Sequence, residues 1–379
     1  MKTKPEVAIE NNLADLREKR GLAAASLAKM AGVSRQTIYA IEAGNYMPNT
    51  AVALRLARAL EAGVEEVFRL PEAPAGGAEP VSEEALPLAG GGVPEAGQPV
   101  QLCRVDKRLI AVGPSPVPWY LPASHGVVTR KGAAGGKATV QLFDSGDDPG
   151  SRILVAGCDP AMSILSRYLQ TAGIEVVLVH RNSSQALKLL KDGSVHIAGT
   201  HLRDEASGES NVPTVRKMFT KGAVALVSFS IWEEGIVTAR GNKKAIQGIS
   251  DLSRPDIEMV NREVGSGSRL LLDVELKRAG ISGRRVRGYD RVAAGHLPAA
   301  WEVYQGTADC CIATRAAAKV FGLEFLPLVS ERYDLAIRKK HLELRGIQAL
   351  LDTLNRSRFR RELEMLGGYD ARGSGARML

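Results

Sequence analysis

The segment Val260-Asn261-Arg262-Glu263-Val264-Gly265-Ser266-Gly267-Ser268-Arg269 gathers residue types suited to holding an anion. The apolar run from Ile257 to Val260 ends in polar residues and a turn built on Gly265 and Gly267. A helical pattern follows, with Leu270, Leu271, Val274 and Leu276 spaced for one buried face. Ser266 or Ser268 can cap that helix, whose free backbone N–H groups then point into the turn. A helix start carries a partial positive charge, and Arg262 and Arg269 add cationic forks. The expected chemistry is an oxyanion cradle. It is not a P-loop, because no Gly-Lys-Ser/Thr follows the glycines, and the Gly-x-Ser-x-Gly of a serine-hydrolase elbow is absent.

Other polar residues lie where strands should end. Asp159 follows an apolar run and precedes a helical pattern, so it either caps that helix or faces a ligand. Ser183, Ser184 and Thr200 offer hydroxyls suited to an oxyanion or a polyol, and His201 and His296 fall on candidate cleft loops. His196 sits inside an apolar strand and reads as core. Cys103, Cys158, Cys310 and Cys311 show neither metal spacing nor a secreted disulfide framework, and Cys310-Cys311 read as buried inert thiols. No metal motif, paired carboxylates or nucleophile–base pattern emerges, so neither a metal, a cofactor nor an enzyme is expected.

The elements that must position these groups alternate between strand and helix from Arg152 onward. Ile153 to Ala156 leads into Gly157-Cys158-Asp159-Pro160, Val176 to Val179 into Asn182-Ser183-Ser184, and Val195 to Ala198 into Gly199-Thr200-His201. Strands ending in small polar residues are how open α/β sheets build a crevice at their carboxyl ends. Ala223 to Phe229, the unit at 257–279, and Ala308 to Ala313 with its following helix supply a second lobe. Arg356 to Arg361 is a charge run on a terminal helix, read as a solvated face.

The first seventy residues read differently. Helices are expected from Leu13 to near Gly21, from Ala24 to Ala31, from Arg35 to Ala43 behind a Ser34 cap, from Thr50 to Leu60, and briefly around Glu65 to Phe68. Two short helices joined through Gly32-Val33-Ser34 make a helix-turn-helix signature. Leu27-Ala28, Ala31 to Ser34, Ile38, Ile41-Glu42-Ala43-Gly44 and Pro48 resemble the phage-repressor (Cro/C1, or XRE) class. That resemblance implies that the third helix enters the major groove of double-stranded operator DNA. Ser34, Arg35, Gln36, Thr37 and Tyr39 would lie nearest bases or phosphates, with Asn45 beside the backbone. Ala23-Ala24-Ala25 departs from the family, which usually has a polar residue there, so one contact is expected to be missing.

Between these parts, residues 71–99 hold six Pro, six Gly and five Glu with no Lys or Arg, the composition of a flexible acidic linker. Residues 100–150 show β-like runs broken by Pro114, Pro116, Pro118 and Pro122, and are expected to form a small β-rich connector. Gly132 to Lys137 reads as a turn. The expected domains are therefore 1–70, 71–99, 100–150 and 151–379. The apolar runs of the 379-residue chain are shorter than the roughly 20 residues a membrane span needs, and no signal peptide is evident, so a cytoplasmic protein is expected. The net charge of +8 favours anions without specifying DNA.

The C-terminal part also resembles a family. Ala156 to Pro160, Ala198 to Leu202, Trp232-Glu233-Glu234-Gly235, Asn261-Arg262-Glu263, Gly265 to Arg269, Gly288-Tyr289, Glu331 to Asp334 and Gly367 to Asp370 resemble the PBP-like domain related to periplasmic molybdate-binding proteins. The fold class implied is multidomain: an all-α five-helix head and an α/β two-lobed domain of the type II periplasmic-binding-protein kind. The role implied is a one-component transcriptional regulator, expected as a homodimer, that senses a small anionic ligand, molybdate or tungstate first. Its ligand residues would be Asp159, Ser183, Ser184, Thr200, His201, Asn261, Arg262, Ser266, Gly267, Ser268, Arg269 and His296. The alternatives are a DNA-binding scaffold whose C-terminal domain takes another metabolite or a protein partner, and an enzyme acting in the cleft.

Overall fold

The computed structural model describes residues 9–69, 81–90, 94–113, 123–132, 136–144, 148–204 and 207–379. The chain divides into two compact units, Met1–Glu79 and Pro80–Leu379.

The first unit is a bundle of α1 (Leu13–Lys19), α2 (Ala24–Ala31), α3 (Arg35–Glu42), α4 (Thr50–Ala59) and α5 (Val64–Val67). Two short strands, β1 (Glu10–Asn11) and β2 (Phe68–Arg69), pair antiparallel and close it. Leu13, Leu27, Ile38, Ile41, Leu56, Leu60 and Val67 form its core, each burial contributing roughly 1.5–3 kcal/mol over exposure. Gly32 ends α2 in the left-handed conformation (φ +68°), which lets the chain turn at once into the Ser34 cap of α3. Arg17 Nε donates to Glu42 Oε1 at 2.6 Å and fixes α1 against α3. The five expected helices are present. Ala23, at the start of α2, offers no side-chain cap, as its residue type dictates.

The second unit begins with a closed five-stranded barrel, in the order β3 (Ser82–Pro87), β5 (Arg108–Val112), β4 (Pro99–Val105), β6 (Gly126–Arg130), β7 (Ala138–Leu142). This corrects the expected linker over 71–99, because Ser82 to Pro87 is a barrel strand and Ala85 and Leu88 are buried. The Pro, Gly and Glu counts concealed the alternation of this strand. The expected connector at 100–150 is likewise most of a barrel with its own core of Val100, Leu102, Val128 and Val140. Part of its outer side is covered: Leu88, Cys103, Val105, Ile110 and Val112 share one apolar cluster with Val177, Val179, Leu187 and Leu190. The four prolines from 114 to 122, residues 70–80 and residues 133–135 of the turn at 132–137 lie outside the described residues.

The remainder is organised by one mixed sheet, β13-β12-β14-β11-β15-β10-β8-β9, with β16 (Tyr369–Asp370) paired to β11. Lobe 1 holds β8 (Ile153–Gly157), β9 (Val176–His180) and β10 (Ile197–Thr200), with α6 (Met162–Gln170), α7 (Ser183–Lys191) and α8 (Val212–Met218). Lobe 2 holds β12 (Met259–Arg262), β13 (Val292–Ala293) and β14 (Cys310–Thr314), with α9 (Gly267–Arg278), α10 (His296–Tyr304) and α11 (Arg315–Val320). Two long antiparallel strands, β11 (Val224–Thr238) and β15 (Glu324–Arg338), run through both lobes, and α12 (Arg345–Leu354) and α13 (Ser357–Met365) return to lobe 1. Register shifts at Ser228/Ser230 and Glu234/Gly235 bend the β11–β15 ribbon between the lobes. These strands join the two lobes.

Candidate functional site

The site forms where both lobes and the strands joining them meet. Gly199, next to last in β10, has no side chain, and a Cβ there would lie 2.9 Å from Tyr333 Cε1, so glycine lets the Tyr333 ring fill the space under the strand ends. His201 follows the strand at once. Its backbone N–H donates to Ser183 Oγ at 3.1 Å, and its Nδ1 lies 2.8 Å from Glu331 Oε2 on β15. From lobe 2, Gly267 presses the start of α9 against His201: an added Cβ would lie 2.7 Å from the His201 carbonyl oxygen. Ser268 donates to Glu234 Oε1 on β11, and Arg262 Nη1 donates to Ser268 Oγ at 3.4 Å. The imidazole of His296, at the start of α10, sits 5.1 Å from the Trp232 ring and 5.9 Å from that of His201.

Every one of these side chains is buried, and the electrostatics follow from that. Burial, with Glu331 close by, pushes the Glu234 carboxyl up to about 8. Burial alone raises Asp159 to about 6. Burial, helped by the nearby Arg262 and His201, holds His296 well below its usual range and therefore neutral. Burial opposes a charge on His201 too, but Cys158 and Glu331 beside it outweigh that and raise it. Several polar atoms here have no hydrogen-bond partner among the described residues: His201 Nε2, Ser230 Oγ, Trp232 Nε1, Glu234 Oε2, Asp159 Oδ2 and both ring nitrogens of His296. Buried polar groups in a finished core are nearly always paired, so this collection is unusual for a core.

Beside it opens a cavity of about 810 Å³ between the lobes, with His201 and Glu331 at one end and Leu270, Val274 and Leu328 along its wall. Leu270 and Val274 were expected on the buried face of α9. Leu271 and Leu276 are buried as expected, joined by Leu272, while Leu270 and Val274 are only half-buried because the helix also lines the cleft.

The expected ligand residues divide. His201, Arg262, Gly267, Ser268 and His296 come together as described. Ser266 is the α9 cap, accepting from Arg269 N at 3.2 Å, and Ser183 supports His201. Ser184 is exposed, and Thr200 Oγ1 is spent on Asn211 Oδ1 at 3.2 Å. Asn261 donates to Tyr289 O at 2.9 Å and Arg269 lies over the Tyr289 ring at 3.9 Å, so both brace lobe 2. Arg262 is not a free cation, because its Nε pairs with Glu263 Oε2 at 3.0 Å. Asp159 does not cap α6, whose N-cap is Ala161. Its Oδ1 accepts from Ala161 N at 2.8 Å and from Tyr369 OH at 2.7 Å. Sequence reasoning missed Glu234, Glu331, Trp232 and Cys158 as site residues. A carboxylate inside the apolar strand Val224–Thr238 was the available signal, since an ionisable group is rarely buried there without purpose.

In the first unit, Arg35, Gln36 and Tyr39 of α3 are exposed, as are Ser34 and Asn45, while Ile38 and Ile41 face the core. Ser34 Oγ accepts from Thr37 N at 3.1 Å. The Arg35 guanidinium donates to Tyr39 OH through Nε (3.1 Å) and Nη2 (2.9 Å), which presents both side chains on one face.

Comparison with known proteins agrees with this division. A PBP superfamily domain model matches residues 166–355, and a helix-turn-helix model matches residues 13–67. The Bacillus subtilis protein YvgK is 33% identical over 240 residues, which span 63% of this chain and 77% of YvgK. An HTH-type transcriptional regulator of Methanothermobacter thermautotrophicus is 46% identical over 57 residues, spanning 15% of this chain and 83% of its own length. Among solved structures, the effector-binding domain of QuiR in complex with shikimate aligns with a TM-score of 0.40 at 15% identity, over 53% of this chain and 93% of that one.

Proposed function

The chain belongs to the PBP superfamily-domain family, carrying that domain behind an XRE-type helix-turn-helix, and on that premise we propose a regulator that binds operator DNA through α3 and answers to a small ligand in the interlobe cleft. The observation that carries the ligand half is the set of unpartnered buried atoms contributed by lobe 1, lobe 2 and the joining strands together. A guest that satisfies them binds the closed arrangement better than the open one, and so shifts the population toward closure. Closure changes the separation of the lobes, and in a dimer that change is passed to two heads reading half-sites.

The atoms on offer include donors (Trp232 Nε1, Ser230 Oγ and Glu234 Oε2, whose carboxyl stays protonated at neutral pH) and an acceptor (Asp159 Oδ2). A polar ligand carrying both kinds of group fits this set best. A second reading, a molybdate- or tungstate-like oxyanion, is favoured by Arg262 and by the two helix starts at Ser183 and Gly267. Against it stands Glu331, because a dianion buried beside a carboxylate pays strong like-charge repulsion. The HTH-type relatives support a non-enzymatic role.

The test is a thermal-shift panel of small polar metabolites and of molybdate, tungstate, sulfate and phosphate, followed by operator binding with and without each hit. A ligand that raises the melting temperature and alters operator affinity supports the reading. Stabilising ligands that leave operator affinity untouched refute the regulatory coupling.

A further inference from the structure

We propose that Cys158, His201 and His296 bind a transition-metal ion of the zinc(II) or cobalt(II) class, with a fourth position left to a small ligand, so that the ion bridges the two lobes. The inference rests on the cleft being the sensor site and names a ligand class for it.

One ligand atom from each residue lies within 4.8 Å of the others, and all three side chains are buried. The approach is close enough for a small contraction to bring them onto one ion at the 2.0–2.3 Å bond lengths typical of such sites. Nε2 of His201 and both ring nitrogens of His296 have no hydrogen-bond partner among the described residues, His296 Nδ1 lying 3.9 Å from Glu234 Oε1. Two buried imidazoles with three nitrogens outside any hydrogen bond are poorly explained as core, where such groups find donors or acceptors. The other nitrogen of His201 is already oriented: Nδ1 lies 2.8 Å from Glu331 Oε2, the carboxylate–histidine arrangement that fixes a metal-binding ring.

The donor set selects the ion. One thiol and two imidazoles suit zinc, cobalt, nickel or copper, whereas magnesium and calcium require oxygen ligands. Three protein ligands leave a tetrahedral ion one site short, the pattern of zinc centres that hold an exchangeable group. The ligands also come from separate parts of the fold: Cys158 after β8 and His201 after β10 in lobe 1, His296 at the start of α10 in lobe 2. An ion here would therefore bind the closed form alone.

The experiment titrates cobalt(II) into reduced, chelator-stripped full-length protein. Expected are one equivalent bound per chain and a thiolate-to-cobalt charge-transfer band. Cys158→Ser should abolish the band while Cys103→Ser, altering a thiol in the barrel, should retain it. His296→Gln should weaken cobalt binding at least tenfold, with circular dichroism confirming that each variant is folded. A band that survives Cys158→Ser, or cobalt binding without any thiolate band, overturns the proposal. If neither cobalt nor zinc binds while a metal-free ligand still stabilises the protein, the metal site is refuted and the sensor cleft stands. If nothing binds and cleft variants leave operator affinity unchanged, both readings fall.

Discussion

Asn182 Nδ2 donates to the Val264 carbonyl at 3.3 Å, a hydrogen bond that crosses from the cap of α7 in lobe 1 to the turn before α9 in lobe 2. The Asn182 side chain also caps α7, its Oδ1 accepting from Gln185 N at 3.0 Å. Asn182→Asp keeps the cap acceptor and replaces the cross-cleft donor by an oxygen facing an oxygen. We expect lobe opening, seen as a larger radius of gyration in small-angle scattering, with a cost of about 0.5–1.5 kcal/mol to closure. An unchanged scattering profile would show that this bond does not hold the cleft.

Gly267 makes the same point by size. Its missing Cβ is what allows α9 to meet His201, so Gly267→Ala should keep both lobes folded and hold them apart. The expected result is a melting temperature that no longer responds to cleft ligands. Retained ligand stabilisation would rule out this contact as a condition of closure.

Arg35→Ala and Gln36→Ala should each weaken binding to the cognate operator by about 1–3 kcal/mol, read by fluorescence anisotropy at physiological salt. Tyr39→Phe removes the hydroxyl that holds the Arg35 guanidinium and should act in the same direction, more weakly. If the first two variants bind as the parent does, α3 is not the reading helix.

The barrel and lobe 1 share an apolar cluster, so they should unfold together. Ile110→Ala, a barrel substitution, should cost about 2–5 kcal/mol and increase hydrogen exchange in β9 and α7 as well as in the barrel. Faster exchange confined to the barrel would show two independent folding units.

His196 makes stability depend on pH. Leu154 N donates to its Nδ1 at 3.0 Å, so that nitrogen is unprotonated in the folded protein. Burial, reinforced by His341, lowers its pKa from the ordinary 6.5 to about 4. Above 6.5 the ring is neutral in both states. Between 6.5 and 4 the unfolded chain takes a proton that the folded one refuses, so stability falls as pH falls, by at most roughly 3 kcal/mol. His196→Asn keeps an acceptor for Leu154 and cannot titrate. Its melting temperature should fall less between pH 7 and pH 4 than the parent's, and parallel profiles would acquit His196.

Much of this protein was determined locally and was therefore legible in the sequence. The head was, because its helices are short, bounded by Gly32 and Ser34, and buried along 3.6-residue stripes. The turn at Gly265 to Ser268 and a serine cap, at Ser266 or Ser268, were legible for the same reason: caps and turns are decided by neighbours in the chain. The barrel strand Ser82–Pro87 was not, since its acidic outer residues and flanking prolines and glycines look like linker until β7 and β5 pair with it. The site was legible only in part. His201 and His296 fall on strand-end and helix-start loops, but nothing local ties Cys158 to them, and Glu331 lies among other charged residues of β15 that give it no distinction. These residues and Glu234 become one centre only because β11 and β15 run through both lobes and carry their carboxylates to the junction. That meeting depends on sheet order and on two register shifts, quantities set by long-range pairing that no local pattern in the sequence encodes.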